Sequence, residues 1–165
     1  PTAGKLYTIC CPAAYLSPEL LNSKYEGGYG LEVDIWAFAV VLYEMLVGNA
    51  PFSRIGEDSQ YEIFLAILEN RIQYPTFFDS NAKELLKELF IPQLENRTQT
   101  IQAVKDSAFF SSQIPDWNAV LQRQLVPPFL PQIEQEGDSR YFALTEGSAK
   151  HFKRLKGLEN KLKIS

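Results

Sequence analysis

A mainly α body followed by an extended C-terminal tail is the fold class that this 165-residue sequence predicts. Three observations lead there. The stretch from Asp34 to Val47 is apolar on nearly every face, interrupted by Glu44, as a helix buried on all sides would be. Two later stretches repeat apolar residues at helical spacing. The 10 prolines fall mostly between apolar segments, which favours moderate helices with irregular connections over one bundle of long helices. A hydrophobic content of 45% is enough to bury a real core in one compact body.

The elements follow in chain order. Residues 1–15 show neither helical nor strand period and read as loop. Ser17 is a natural N-cap and Pro18 a natural first helical residue, so a short helix is expected through Leu20 and Leu21. Lys24 to Gly30 holds three glycines and two tyrosines and reads as a loop. Asp34 is then placed to cap the central helix, which Gly48, Asn49 and Pro51 close. Tyr61, Phe64, Leu65 and Leu68 predict an amphipathic helix over 60–69. Ala82, Leu85, Leu86, Leu89 and Phe90 predict another after Ser80 and Asn81. A further helix is expected over 98–106, ending near Phe109 and Phe110. Beyond Gln113 the pattern loosens, and Val126-Pro127-Pro128-Phe129-Leu130-Pro131 reads as an extended segment whose aromatics dock on a body.

Charge and composition exclude several functions. Residues 1–149 carry 10 basic and 19 acidic side chains, a net of −9, whereas 150–165 carry 6 and 1, a net of +5. An acidic body argues against nucleic acid as partner, and the basic end reads as a solvated tail. Leu155, Leu158 and Leu162 in that end have coiled-coil spacing over too few positions to establish one. The adjacent Cys10 and Cys11 lack the geometry for a mutual disulfide, and with one His in the chain no metal centre is expected. The run from Ile35 to Leu46 is too short to span a bilayer. With no signal-peptide pattern, a cytoplasmic setting is expected.

Three separated motifs carry a resemblance. Tyr15-Leu16-Ser17-Pro18-Glu19 resembles the end of the activation segment of eukaryotic protein kinases, usually written Ala-Pro-Glu. Asp34-Ile35-Trp36 resembles the Asp-x-Trp that opens the buried helix of the kinase large lobe. Arg97 stands where the family places the partner of the Glu19 carboxylate. The tail narrows the likeness. Trp117, the 127–131 segment and Gly137-Asp138-Ser139-Arg140-Tyr141-Phe142 resemble the C-terminal extension of the AGC serine/threonine kinases. The glycine-tyrosine loop before Asp34, with Tyr43-Glu44-Met45-Leu46 and Asn49-Ala50-Pro51-Phe52, is most similar to the Rho-effector branch, which includes the citron, Rho-associated and myotonic-dystrophy-type kinases. The likeness runs from residue 5 to about residue 142.

The resemblance implies a truncated kinase large lobe over 1–112, an AGC-type extension over 113–149 and a basic tail over 150–165. It places Thr8 at the activation-loop phosphosite, where the alternative is an ordinary loop hydroxyl. Cys11, Pro12 and Tyr15 would line the pocket for the substrate residue after the phosphoacceptor. Glu19, Asp34, Trp36 and Arg97 would be structural, with Glu19 and Arg97 as a buried bridge and Asp34 capping backbone amides of a catalytic loop. Tyr141 or Phe142 matches a tail aromatic that reaches the adenine pocket in relatives, the alternative being packing on the lobe surface.

Phosphoryl transfer by a kinase needs a catalytic-loop Asp and Asn, a second Asp for Mg²⁺, a Lys on the phosphates and a Gly-rich loop. The sequence contains no His-Arg-Asp, Asp-Phe-Gly or Val-Ala-Ile-Lys motif. No catalytic residue and no cofactor is therefore expected in this chain alone, with ATP and Mg²⁺ belonging to an intact parent. Relatives usually read Cys-Gly-Thr-Pro-Glu-Tyr where this chain has Cys10-Cys11-Pro12-Ala13-Ala14-Tyr15, so Pro12 replaces a hydroxyl that contacts catalytic groups. Two readings stay open. The chain belongs to a kinase that phosphorylates protein Ser/Thr, with protein substrates and the rest of the kinase domain as partners. Alternatively, it is a pseudokinase-type scaffold that binds a docking partner.

Overall fold

The computed structural model describes residues 12–22, 28–53, 59–138 and 140–141. Thr8, Cys10, Cys11, Phe142 and the basic tail lie outside the described residues. Among those described, the chain is helical, with a 3-10 turn over Ala13–Tyr15 followed by α1 (Pro18–Leu21), α2 (Glu32–Val47), α3 (Gln60–Leu68), α4 (Ser80–Leu89), α5 (Ile101–Asp106), α6 (Ala108–Ser111) and α7 (Trp117–Leu121). They divide into two compact units, one up to Asn118 and one from Ala119.

In the first unit α2 is the centre. Ile35, Trp36, Ala39, Val40, Leu42 and Tyr43 are all buried. The α2 helix packs on α4, whose Ala82, Leu85, Leu86 and Leu89 form one buried i, i+3, i+4, i+7 stripe. Trp36 is the hub of an aromatic triangle. It stacks on Phe52 at 5.5 Å and meets the edge of Phe90 at 5.1 Å, while Phe52 and Phe90 meet edge to face at 5.4 Å. A second cluster joins Tyr43, Tyr74 and Phe78, with Lys83 over the Tyr74 ring. The Tyr43 hydroxyl donates to the carbonyl of Gln73, so this cluster anchors the 70–79 connection on α2.

Several expectations change. The central helix starts at Glu32, two residues before Asp34, because Leu31 already has α conformation and the Glu32 carboxylate turns back to accept from the Gly30 N–H at 3.1 Å. Asp34 is therefore not the N-cap; it sits exposed in the first turn, where its charge suits the helix dipole. The same helix is not buried all round, since Val41 is 43% and Met45 79% exposed. Ser17 holds the N-cap position of α1, but its hydroxyl makes no cap bond and is buried without a partner among the described residues.

In α3, Tyr61 and Leu68 are exposed and the buried edge runs through Ile63, Phe64 and Ile67, the face turned to the 3-10 turn and α1. The helix expected after Ser80 and Asn81 already starts at Ser80, where Asp79 caps α4 by accepting from the Ala82 N–H. The helix expected from residue 98 starts at Ile101, because the Thr100 hydroxyl caps it by accepting from the Ala103 N–H. Trp117, in the stretch where the sequence pattern loosens, opens α7. Its ring contacts Phe110, and Lys105 lies over it.

In the second unit residues 129–138 and 140–141 fold on themselves. Phe129 and Tyr141 meet edge to face at 5.5 Å, and the Tyr141 hydroxyl accepts from the Gln132 N–H. Asp138 accepts from the backbone N–H groups of Arg140 and then Glu134, which hold its carboxyl below the usual range. Gly137, at φ +78, supplies the left-handed residue that the turn requires.

Candidate substrate-loop framework

Glu19 and Arg97 define the best-built polar site. The Pro18 ring presets the first turn of α1, so the next side chain, that of Glu19, leaves the helix where α1 meets the body. Its carboxylate receives both arms of the Arg97 guanidinium at 2.8 and 2.9 Å, and both side chains are essentially fully buried. The guanidinium is further satisfied by the carbonyls of Ile91 at 2.8 Å and Pro92 at 3.3 Å. Its central carbon, Cζ, lies over the Trp36 ring, 4.8 Å from the centroid. One cation thus ties α1 to the 91–97 connection and to the central helix. A planar fork can bond in its plane and stack on an aromatic face at once, which a lysine could not.

Ahead of α1, the 3-10 turn presents Pro12 to solvent and half-buries Tyr15. The Tyr15 hydroxyl donates to the Glu44 carboxylate of α2. That bond, then burial and the charge of Glu44, push the Tyr15 phenol up. Glu44 is a contact that the sequence reading missed; its only signal is a carboxylate inside the apolar run from Ile35 to Leu46. The structure therefore brings Glu19, Arg97 and Trp36 together, and separately joins Tyr15 to α2. Asp34 stands apart and exposed, and Tyr141 lies in the other unit with its hydroxyl bonded there.

Behind α1, a shallow cleft of about 260 Å³ opens between Pro18, Leu68 at the end of α3, and Pro92, Gln93 and Glu95. Among the described residues no three His, Cys, Asp or Glu side chains converge as a metal site requires. Nor is any helix among them long and apolar enough to cross a membrane.

A helical body organised on one buried helix, with a carboxylate–guanidinium bridge fixing the segment that enters it, is the architecture of a kinase large lobe. The protein kinase domain model matches residues 2–110, and the chain belongs to the protein kinase family. It is similar to the cAMP-dependent protein kinase catalytic subunit of Dictyostelium discoideum, with 36% identity over 146 residues covering 85% of this chain and 21% of the relative. It is also 36% identical to the cAMP-dependent protein kinase catalytic subunit PRKX of Homo sapiens, over 84% of this chain and 37% of that protein. The RAC family serine/threonine-protein kinase homolog of Dictyostelium discoideum is 35% identical over 82% of this chain and 29% of its own length. These are AGC-type relatives, and the chain spans well under half the length of each.

Proposed function

We propose that this chain is the substrate-side part of the large lobe, with the C-terminal extension, of an AGC serine/threonine kinase whose parent transfers the ATP γ-phosphoryl group to protein hydroxyls with Mg²⁺. The observation that carries the reading is the buried Glu19–Arg97 fork on Trp36. A loop that seats a peptide needs a fixed floor, and this bridge supplies one directly after the 3-10 turn. Serine/threonine kinases among the relatives favour an enzyme parent over a scaffold.

In this reading residues 1–112 are lobe, 113–149 extension and 150–165 basic tail. Thr8 is the activation-loop phosphosite, and Cys11, Pro12 and Tyr15 border the pocket for the residue after the phosphoacceptor. Asp34, exposed on α2, is free to bind backbone amides of a catalytic loop, and Tyr141 or Phe142 reaches toward adenine. Protein substrates and the remainder of the kinase domain are the partners, in the cytoplasm. The loop before α2 and the Tyr43–Leu46 and Asn49–Phe52 stretches support the finer placement in the Rho-effector branch.

The donor set present does not fit ATP or Mg²⁺: the motifs that hold phosphate and metal in kinases do not occur in these 165 residues. The test is transfer of labelled phosphate from ATP with Mg²⁺ to a mixed Ser/Thr protein substrate. The isolated chain should transfer none, and the product of the complete coding sequence should phosphorylate Ser or Thr. Turnover by the isolated chain, or an inactive complete protein, would sink the reading.

A further inference from the structure

Tyr61 has no role in the reading above. It is the second residue of α3 and is 69% exposed, and neither its hydroxyl nor its ring has a partner among the described residues. The other described tyrosines are engaged or covered. The Tyr15 hydroxyl donates to Glu44 and that of Tyr43 to the Gln73 carbonyl, while the Tyr141 hydroxyl accepts from the Gln132 N–H. Tyr74 packs against Tyr43 and Phe78, and Tyr29 is half-buried. The Tyr61 phenol alone among them leaves its oxygen open to reaction.

The sequence around it sets it apart as well. Glu57 and Asp58 lie four and three residues before Tyr61 and Glu62 directly after it, with no Lys or Arg within four residues on either side, a local charge of −3. The same window around each of the other 7 of the 8 tyrosines carries between −2 and +1. Such a flank is complementary to a basic peptide groove and is repelled by an acidic one. The backbone can also be presented. The first turn of α3 is held by the capping box of Ser59 and Glu62, and Ile67, the one fully buried residue of the helix, lies six positions beyond Tyr61. Opening that turn is therefore a local event that leaves the core of the body packed.

We propose that Tyr61 is a phosphorylation site for a protein tyrosine kinase that selects acidic flanks. The Tyr61 Oη attacks the γ-phosphorus of ATP held by that kinase. A new O–P bond forms, the bond from the γ-phosphorus to the β–γ bridging oxygen breaks, ADP leaves, and the phenolic proton passes to the catalytic-loop Asp of the modifying enzyme. The product carries about −1.5 to −2 charges on the exposed side of α3. This chain is the substrate in that reaction, so the proposal stands whether or not its parent is itself an active kinase.

The experiment is phosphorylation of the purified chain by the catalytic domain of spleen tyrosine kinase with labelled ATP and Mg²⁺, the modified residues being located by mass spectrometry of proteolytic peptides. Tyr61 should carry most of the phosphate at early times. Tyr61→Phe should lose most of the initial rate, and Tyr141→Phe should keep it. The double variant Glu57→Gln with Asp58→Asn should lower kcat/KM about threefold to tenfold, as the loss of two exposed ion pairs with the modifying enzyme allows. Each variant keeps Ser59 and Glu62, so the cap of α3 is not disturbed. Absence of label in the chain while a control peptide is phosphorylated, phosphate mainly on another tyrosine, or an unchanged kcat/KM in the double variant would overturn the proposal.

Discussion

The carboxylate of Glu19 and the guanidinium of Arg97 stand 78 residues apart in sequence and meet arm to arm at 2.8 and 2.9 Å, sealed from solvent. The Glu19 carboxylate has both of its bonds from Arg97. Arg97 has further bonds to two carbonyls and lies over Trp36, but Glu19 has Arg97 as its ionic partner.

Removing one partner should therefore cost more than the pair itself contributes. Glu19→Leu strands a buried guanidinium and Arg97→Met strands a buried carboxylate, so each single variant should lose about 3–5 kcal/mol. That is a large part of the roughly 5–15 kcal/mol of a typical domain. The double variant should lose clearly less than the sum, the remainder reflecting the freed carbonyls of Ile91 and Pro92. Urea unfolding of the four proteins measures this as a double-mutant cycle. Single variants within about 1 kcal/mol of the parent chain, or strict additivity, would contradict it.

The N-terminus of α3 offers a smaller and more local test. Ser59 and Glu62 form a reciprocal capping box: the Ser59 hydroxyl accepts from the Glu62 N–H at 3.3 Å, and the Glu62 carboxylate accepts from the Ser59 N–H at 2.7 Å. Ile67 is the one fully buried residue of this nine-residue helix, so packing does little to fix its first turn. Ser59→Ala should destabilise by about 1 kcal/mol and speed hydrogen exchange chiefly at the first α3 amides, while Ser59→Thr should retain most of the cap. Faster exchange spread evenly over α2 and α4 would mean the box is not local.

How much of this was legible in the sequence depends on what decided each feature. The α4 stripe was readable because Ala82, Leu85, Leu86 and Leu89 are the apolar residues of a helix that is otherwise polar, so one face had to be buried. In α3 apolar residues occur on two stripes, and periodicity alone could not tell the Tyr61–Leu68 edge from the Ile63–Ile67 edge; contact with α1 and the 3-10 turn decided it. Asp34 was misread as a cap because the competing signal, Glu32 folding back on Gly30, is a side-chain conformation that no spacing announces. At the candidate site, only the family likeness suggested that Glu19 and Arg97 would meet. The Tyr15–Glu44 bond between a loop and an apolar helix, and the cleft behind α1, arise from tertiary placement and had no sequence pattern of their own.

The second aromatic cluster predicts how stability responds to alkali. Burial, followed by the nearby Tyr43, pushes the Tyr74 phenol up from 10.0 to about 12. Between those two values an unfolded chain has already released this proton while the folded chain still binds it, so rising pH favours unfolding. The contribution of Tyr74 is complete below pH 10, declines above it and is gone once the pH passes about 12. Burial raises Tyr43 in the same direction, so the comparison that isolates Tyr74 is wild type against Tyr74→Phe. In an absorbance titration the wild type should show a late phenolate step that the variant lacks. Urea unfolding at a series of alkaline pH values should show a steeper fall in stability for the wild type. Identical pH slopes in the two proteins would mean that Tyr74 ionises as freely in the folded chain as in the unfolded one.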